Sequence, residues 1–430
     1  MTTPETTARD RRRAWSWLPS LYYAEGIPYV LVMTVSVVMY KRLEISNTDI
    51  ALYTSWLYLP WVIKPLWSPI VDILKTKRWW IVTMQLVIGA ALAGVAFTIE
   101  MDSFFQWSLA FFWLVAFSSA THDIAADGFY MLALDDSNQA WFVGIRSTFY
   151  RLAMITGQGL LVMLAGWLEV RQDDVAHAWG LTFGIIAGVF LLLMLFHRWV
   201  LPRPASDVGA VHDSVQSVLA DFVATFASFF RKPKIGLILA FLLLYRFAEA
   251  QLVKMASVFL LDAPEVGGMA LSTAEVGFAY GTVGILALTA GGILGGFLAA
   301  KQGLKYWLWW MVVAINVPNA VYIFLAWTLP DSLWVVNAAV AVEQFGYGFG
   351  FTAYMLYMIY VSDGPHKTAH FAICTGFMAL GMMLPGMVSG AIQEWLGYEM
   401  FFVYVLLATI PGFIVSGLVP LDPAFGRSKK

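Results

Sequence analysis

The stretch FFQWSLAFFWLVAFSSATHDIAADGF, Phe104 to Phe129, decides what kind of protein this is. It opens as an apolar run. About 20 such residues in a helix cross the ~30 Å hydrocarbon core of a bilayer. It closes on His122, Asp123 and Asp127. Ionisable side chains placed in lipid cost several kcal/mol each, so these three need protein partners, water or a function. Asp123 and Asp127 are four apart and share one face of the helix, with His122 turned about 100° from Asp123.

The rest of the chain repeats the apolar pattern. Of 430 residues, 60% are hydrophobic and 13% charged, about half the charged share of a soluble protein. Twelve spans follow from the hydropathy, at 15–40, 49–70, 79–99, 104–128, 140–166 and 177–200, and again at 235–261, 273–299, 305–328, 332–360, 368–392 and 398–419. The basic cluster at Arg9 to Arg13 precedes a segment that stays apolar to Tyr40, contains Glu25 and has no small-residue cleavage pattern. It reads as a retained first helix and not as a signal peptide.

Lysine and arginine then orient the spans. With the N-terminus inside, Arg9, Arg11, Arg12, Arg13, Lys75, Lys77, Arg78, Arg198, Arg203, Arg231, Lys232, Lys234, Lys301, Lys305, Lys367, Arg427, Lys429 and Lys430 all fall on the cytoplasmic side. The outer loops hold Lys41, Arg42 and Arg171. Both termini are therefore expected to be cytoplasmic. The sets of spans are joined by the polar segment 201–232, whose HDSVQSVLADFVATFASFF reads as an amphipathic helix along the membrane surface. The halves echo each other: SPIVDILKTKRWW (Ser68–Trp80) follows span two and GFLAAKQGLKYWLWW (Gly296–Trp310) follows span eight. The expected architecture is an all-α integral membrane protein of two six-helix bundles, 1–200 and 233–430, joined by a linker at 201–232. That is the plan of a two-lobed transporter working by alternating access, with its substrate site near the midplane between the halves.

Several functions are excluded. No phosphate-binding glycine loop with its lysine is present, which argues against an ATP-driven pump. No histidine pair has metal-ligand spacing, and no basic, aromatic surface points to nucleic acid. The single cysteine, Cys374, rules out a disulfide framework. The expected partners are the lipid bilayer and a small-molecule substrate, with the chain a monomer and no cofactor or metal. No nucleophile–base arrangement marks a membrane enzyme. A transport-derived receptor remains the alternative of another class.

Polar residues inside spans are the functional candidates. Arg146 and Arg151 start span five at the same membrane depth as Asp123 and Asp127, and can compensate them. Glu25 in span one has no basic neighbour there, which marks it as a protonatable or ligand-binding group. Lys64 lies in span two and Glu343 in span ten. Span seven carries Arg246, Glu249 and Lys254, of which Arg246 and Glu249, three apart, are spaced to pair on one face. Tyr22, Tyr29, Trp61 and Tyr354 offer an apolar face with a polar edge, suited to a sugar-like or peptide-like ligand. Gly291 with Gly295, and Gly346 with Gly350, have the small-xxx-small spacing of close helix contact. Pro28, Pro60, Pro65 and Pro385 interrupt helices.

The segments WVIKPLWSPIVD (Trp61–Asp72), SATHDIAADGF (Ser119–Phe129) and YRLAMITGQG (Tyr150–Gly159) resemble the AmpG muropeptide permeases. So, in order, do LYRFAEA, STAEVGFAYGTVGILALTAGGILGG and VEQFGYGFGFTAYMLYM in the second half. These permeases form part of the peptide–acetyl-CoA transporter branch of the major facilitator superfamily. The resemblance implies a proton-driven carrier in the bacterial inner membrane. Its cargo would be an N-acetylglucosaminyl-anhydro-N-acetylmuramyl peptide or a related amino-sugar compound, taken up for peptidoglycan recycling. Another oligosaccharide, a peptide, a siderophore or an acyl-CoA is the alternative cargo.

In the resemblance, the family's important aspartates fall on Asp123 and Asp127, its arginine on Arg151, its span-seven acid on Glu249 and its span-ten glutamate on Glu343; joined to the polar and aromatic residues read from the spans, these give the expected roles. Asp123, Asp127 and Arg151, with Arg146 and Glu25, form the proton-coupling and gating group. Glu25, Tyr29, Trp61, Lys64, His122, Glu249, Glu343 and Tyr354 are the substrate-binding candidates. The superfamily's loop pattern after the second helix is degenerate here, with Ser68 at the glycine position, and assigns Asp72, Lys77 and Arg78 to a cytoplasmic latch. Two positions depart from the family: His122 stands where glutamine is usual, and Glu25 where a small residue is usual.

Overall fold

A computed structural model describes residues 11–205, 207 and 215–426. Helices dominate it, as they must in lipid, where every backbone N–H and C=O has to be satisfied within its own segment. Nine helices among the described residues are long and apolar enough to cross a membrane. One of these, 367–418, holds both expected spans eleven and twelve. It is broken at Gly397, whose φ of 73° no side-chain-bearing residue adopts readily. Expected spans two and ten are also helical, as Asn47–Trp56 with Leu59–Leu74, and as Leu333–Ser362, but stand outside the nine.

Short polar residues set where the helices begin. Ser46 accepts from the Asp49 N–H, Thr76 from Trp79, Asp135 from Asn138 and Asp174 from His177. Ser272 and Glu275 form a reciprocal capping box. The first span is continuous but not uniform. Pro28 lies inside Leu18–Val30, and the wider π turn Leu31–Val35 follows before Ser36–Arg42. A proline removes a helical N–H, and in membrane helices local π adjustment is one way the freed backbone groups are satisfied again. The linker's amphipathic segment is helical over Val215–Phe230.

Contacts divide the chain into two compact units: 1–35 with 66–220, and 36–65 with 221–430. In the first, Lys77–Thr98 lies between Phe104–Ala133 and Val175–Val200, while Leu18–Val30 lies along Asp136–Met154. Gly26 permits that last approach: a Cβ there would come within 2.8 Å of the Ala153 Cβ. In the second unit, Leu333–Ser362 is flanked by Ile285–Gln302 and Leu304–Asn316, and Asn47–Trp56 lies against Lys367–Leu407. The glycine pairs read from the sequence sit at these crossings. A Cβ on Gly295 would stand 3.0 Å from the Phe349 carbonyl oxygen, and one on Gly346 2.9 Å from Pro318 Cγ.

Candidate functional site

The first unit gathers the Asp123 motif from three helices. Leu18–Val30 supplies Tyr22 and Glu25, Phe104–Ala133 supplies Asp123, Asp127 and Tyr130, and Asp136–Met154 supplies Arg146. Carboxylate oxygens of Glu25, Asp123 and Asp127 all lie within 4.8 Å of one another. Glu25 is 8% exposed, and its carboxyl group lies beside that of Asp123. Its Oε2 is buried with no partner. Two carboxyl groups this close can share a proton, one then donating and the other accepting.

Arg146 closes the open side of the cluster. Its Nη2 donates to Asp127 Oδ1 at 2.7 Å, and Tyr22 donates to the same oxygen at 3.2 Å. The guanidinium lies over the Tyr22 ring at 4.4 Å and the Tyr130 ring at 5.1 Å, which fixes it by cation–π attraction. The Asp127 side chain is 42% exposed and that of Arg146 28%, so the cluster runs from a dry end at Glu25 to an accessible end at Asp127. Arg151 lies half-buried on the helix that carries Arg146.

His122 faces another way. Gln85 Nε2 donates to its Nε2 at 3.0 Å. His197 Nδ1 donates to Gln85 Oε1 at 2.9 Å, and His197 Nε2 lies 2.9 Å from Ser20 Oγ. The chain crosses four helices with His122, Gln85 and His197 all buried. Neither Gln85 nor His197 stands out in the sequence, where no local spacing ties it to another polar group.

The latch candidates lie at the end of Lys77–Thr98. Asp207 accepts from the Lys77 N–H at 2.7 Å and from the Arg78 N–H at 3.1 Å. Arg78 Nε donates to the Leu201 carbonyl at 3.2 Å. The Lys77 stem runs over Gly128, where a Cβ would meet Lys77 Cε at 2.8 Å. The Asp72 side chain lies outside the described residues. Asp207 is the acidic member that sequence reasoning missed, since it sits in the polar linker with no periodicity to mark it.

In the second unit, Arg246 and Glu249 form the expected i,i+3 pair, two-pronged, at 2.6 and 3.0 Å. Arg246 also donates to the Tyr347 hydroxyl at 2.9 Å and lies over Phe351 at 4.9 Å. Glu343, 4% exposed, accepts from Gln344 at 2.9 Å. Tyr354 is fully buried, donates to the Leu242 carbonyl at 2.5 Å and stacks on Tyr245. Tyr29, in the first unit, and Trp61 and Lys64, in the second, are half-buried. A further polar cluster joins Lys41 to Asp262 at 2.5 Å, Tyr398 to Asp262 at 2.5 Å, and Asn47 to Gln393 at 2.7 Å and to Tyr398 at 3.1 Å.

Comparison with known proteins adds to this geometry. A family model described as Major Facilitator Superfamily matches residues 22–370. The chain is 26% identical over 403 residues to the anhydromuropeptide permease of Escherichia coli (strain K12), covering 92% of this chain and 77% of that one. It is 23% identical over 404 residues to the putative transporter AmpG 4 of Rickettsia conorii, covering 91% and 92%. Among solved structures, the nucleoside transporter NupG superposes with a TM-score of 0.68 at 16% identity, over 96% of this chain and 99% of that one. At that identity the likeness shows the fold alone.

Proposed function

The chain belongs to the major facilitator superfamily, and from that premise we propose that it is a proton-coupled importer of an anhydromuropeptide, or a related amino-sugar compound, across the bacterial inner membrane. The relatives are permeases and transporters, and the chain, with its apolar helices, is a multi-pass membrane transporter and not an enzyme. The cargo rests on the likeness to the anhydromuropeptide permease over most of both chains.

The coupling rests on one observation, the Glu25–Asp123 carboxyl pair beside Asp127 and Arg146. With a proton between them, Glu25 and Asp123 attract. Without it, two carboxylates no more than 4.8 Å apart repel by about 3.5 kcal/mol or more at an effective dielectric constant of ~20. Losing the proton therefore weakens the contact between Leu18–Val30 and Phe104–Ala133. A helix contact whose sign depends on a proton biases a two-state carrier. One charge crossing ~100 mV supplies about 2.3 kcal/mol, a concentration ratio of about fifty-fold for one proton per cargo molecule. Asp72, Lys77 and Arg78 serve as the cytoplasmic latch in this scheme, with Asp207 as the acid that holds its basic end.

The test is uptake into proteoliposomes under an imposed pH gradient. The wild type should concentrate anhydromuropeptide. Asp123→Asn keeps the shape but cannot release a proton, so it should lose uphill uptake and keep exchange of cargo for cargo. An Asp123→Asn protein that still accumulates cargo with a normal response to pH would remove the cluster from the coupling. Binding without accumulation by the wild type would favour the receptor reading.

A further inference from the structure

One buried cation in the second unit stands without a counter-ion. Lys254, on Phe247–Leu261, is 2% exposed. Its Nζ donates to Thr54 Oγ1 at 2.9 Å and lies 5.4 Å from the Tyr58 ring centre. Thr54 gives its own proton to the Ile50 carbonyl at 2.6 Å, so it meets Lys254 as a neutral acceptor. Among the described residues no carboxylate pairs with Lys254, whereas Arg246 has Glu249 and Lys41 has Asp262.

A second unfilled donor stands beside it. Ser55 Oγ is buried, in a residue with no exposure, and has no partner. Both side chains rest against Gly386: a Cβ there would lie 2.7 Å from Ser55 Oγ and 3.4 Å from Lys254 Cγ. An ammonium carries three N–H donors and a hydroxyl one. Burying an unpaired charge is costly, so an ammonium here gains from any counter-charge that reaches it. A carboxylate offers two acceptor oxygens, one for a charged donor and one for a neutral donor.

We infer that Lys254 and Ser55 are the seat for a carboxylate of the cargo, occupied when the helices around Gly386 separate during transport. This rests on the transporter reading and narrows its cargo to compounds with a free carboxylate, as a peptide stem carries. The seat is closed in this structure, with Thr54 and the Tyr58 ring holding the ammonium until the anion replaces them. Lys254 thereby becomes a specificity-determining residue, distinct from the Arg246–Glu249 pair one to two turns earlier on the same span.

The test compares an anhydromuropeptide ending in a free carboxylate with its terminal amide, in proteoliposomes holding wild type, Lys254→Gln, Lys254→Arg or Ser55→Ala. A charge-assisted hydrogen bond lost from the cargo should raise the half-saturating concentration of the acid about tenfold or more in Lys254→Gln, and leave that of the amide within about twofold. Lys254→Arg should keep the preference for the acid, and Ser55→Ala should lose about three- to fivefold on the acid alone. Equal changes for acid and amide, or an unchanged preference in Lys254→Gln, would overturn the assignment. The same variants are melted in detergent with millimolar N-acetyl-alanine or its amide. If the wild type carries neither muropeptide, the cargo proposal fails, and the melting pair decides the seat. Selective stabilisation of the wild type by the acid, lost in Lys254→Gln, supports the seat, and equal response to both probes removes it.

Discussion

Replacing Glu249 with glutamine asks whether the Arg246–Glu249 pair is held for the fold or kept for the cargo. The pair is buried, at 9% and 4% side-chain exposure, and joined by two hydrogen bonds. Removing one partner of such a pair costs about 3–5 kcal/mol, because the other charge stays buried without compensation. Glutamine retains one acceptor, which returns about 1 kcal/mol. The contacts of Arg246 with Tyr347 and Phe351 exist before and after and offset nothing. The net loss is therefore about 2–4 kcal/mol. For a unit of this size it reads as a fall of roughly 5–15 °C in the melting temperature of the purified protein in detergent. A double replacement, Arg246→Met with Glu249→Leu, removes both charges and should recover most of the loss. A Glu249→Gln protein that melts with the wild type, or a double variant that melts as low as the single one, would refute the structural role and return Glu249 to the cargo.

Three further outcomes are expected. Asp207→Ala removes the acceptor for two N–H groups at the start of Lys77–Thr98, a loss of about 1 kcal/mol; it should slow initial-rate uptake while cargo affinity, measured by equilibrium binding, stays within a few-fold. His122→Gln should keep a partner for Gln85 and melt within a few degrees of the wild type, whereas His122→Leu strands a buried amide and should cost about 1–3 kcal/mol in the same melting assay. Gly346→Leu must force a side chain against Pro318 and the Ala314 carbonyl, an overpacking cost of about 1–3 kcal/mol or more, visible as a lower melting temperature and a lower yield of monodisperse protein.

What could be read from the sequence followed spacing within single helices. Asp123 and Asp127 share a face because they are four apart, and Arg246 meets Glu249 because they are three apart; both hold in the structure. The glycine pairs likewise sit at helix crossings, since a crossing needs small residues on one stripe. What escaped were partnerships between distant helices. Glu25 has no charged neighbour in its own span, so nothing local reveals that it meets Asp123 across the Leu18–Val30 and Phe104–Ala133 contact. The Ser20–His197–Gln85–His122 chain is hidden for the same reason, as its four members come from four different helices. Lys254 looked like a member of the Arg246–Glu249 group by proximity in sequence, yet its Nζ points to Thr54 on another span.

The membership of residues 36–65 in the second unit sets the order in which the molecule can be completed. Asn47–Trp56 rests in a groove floored by Gly390, and Asn47 reaches Gln393 and Tyr398. The ribosome delivers this helix more than three hundred residues before its groove. At roughly 5–20 residues per second, the early segment stands in the bilayer for tens of seconds with the face of Asn47–Trp56 that packs on Lys367–Leu407 uncovered. Assembly of the second unit is therefore a late event that reaches back to the beginning of the chain. The interval before it is when a nascent molecule of this kind most needs an insertase or membrane chaperone at its side.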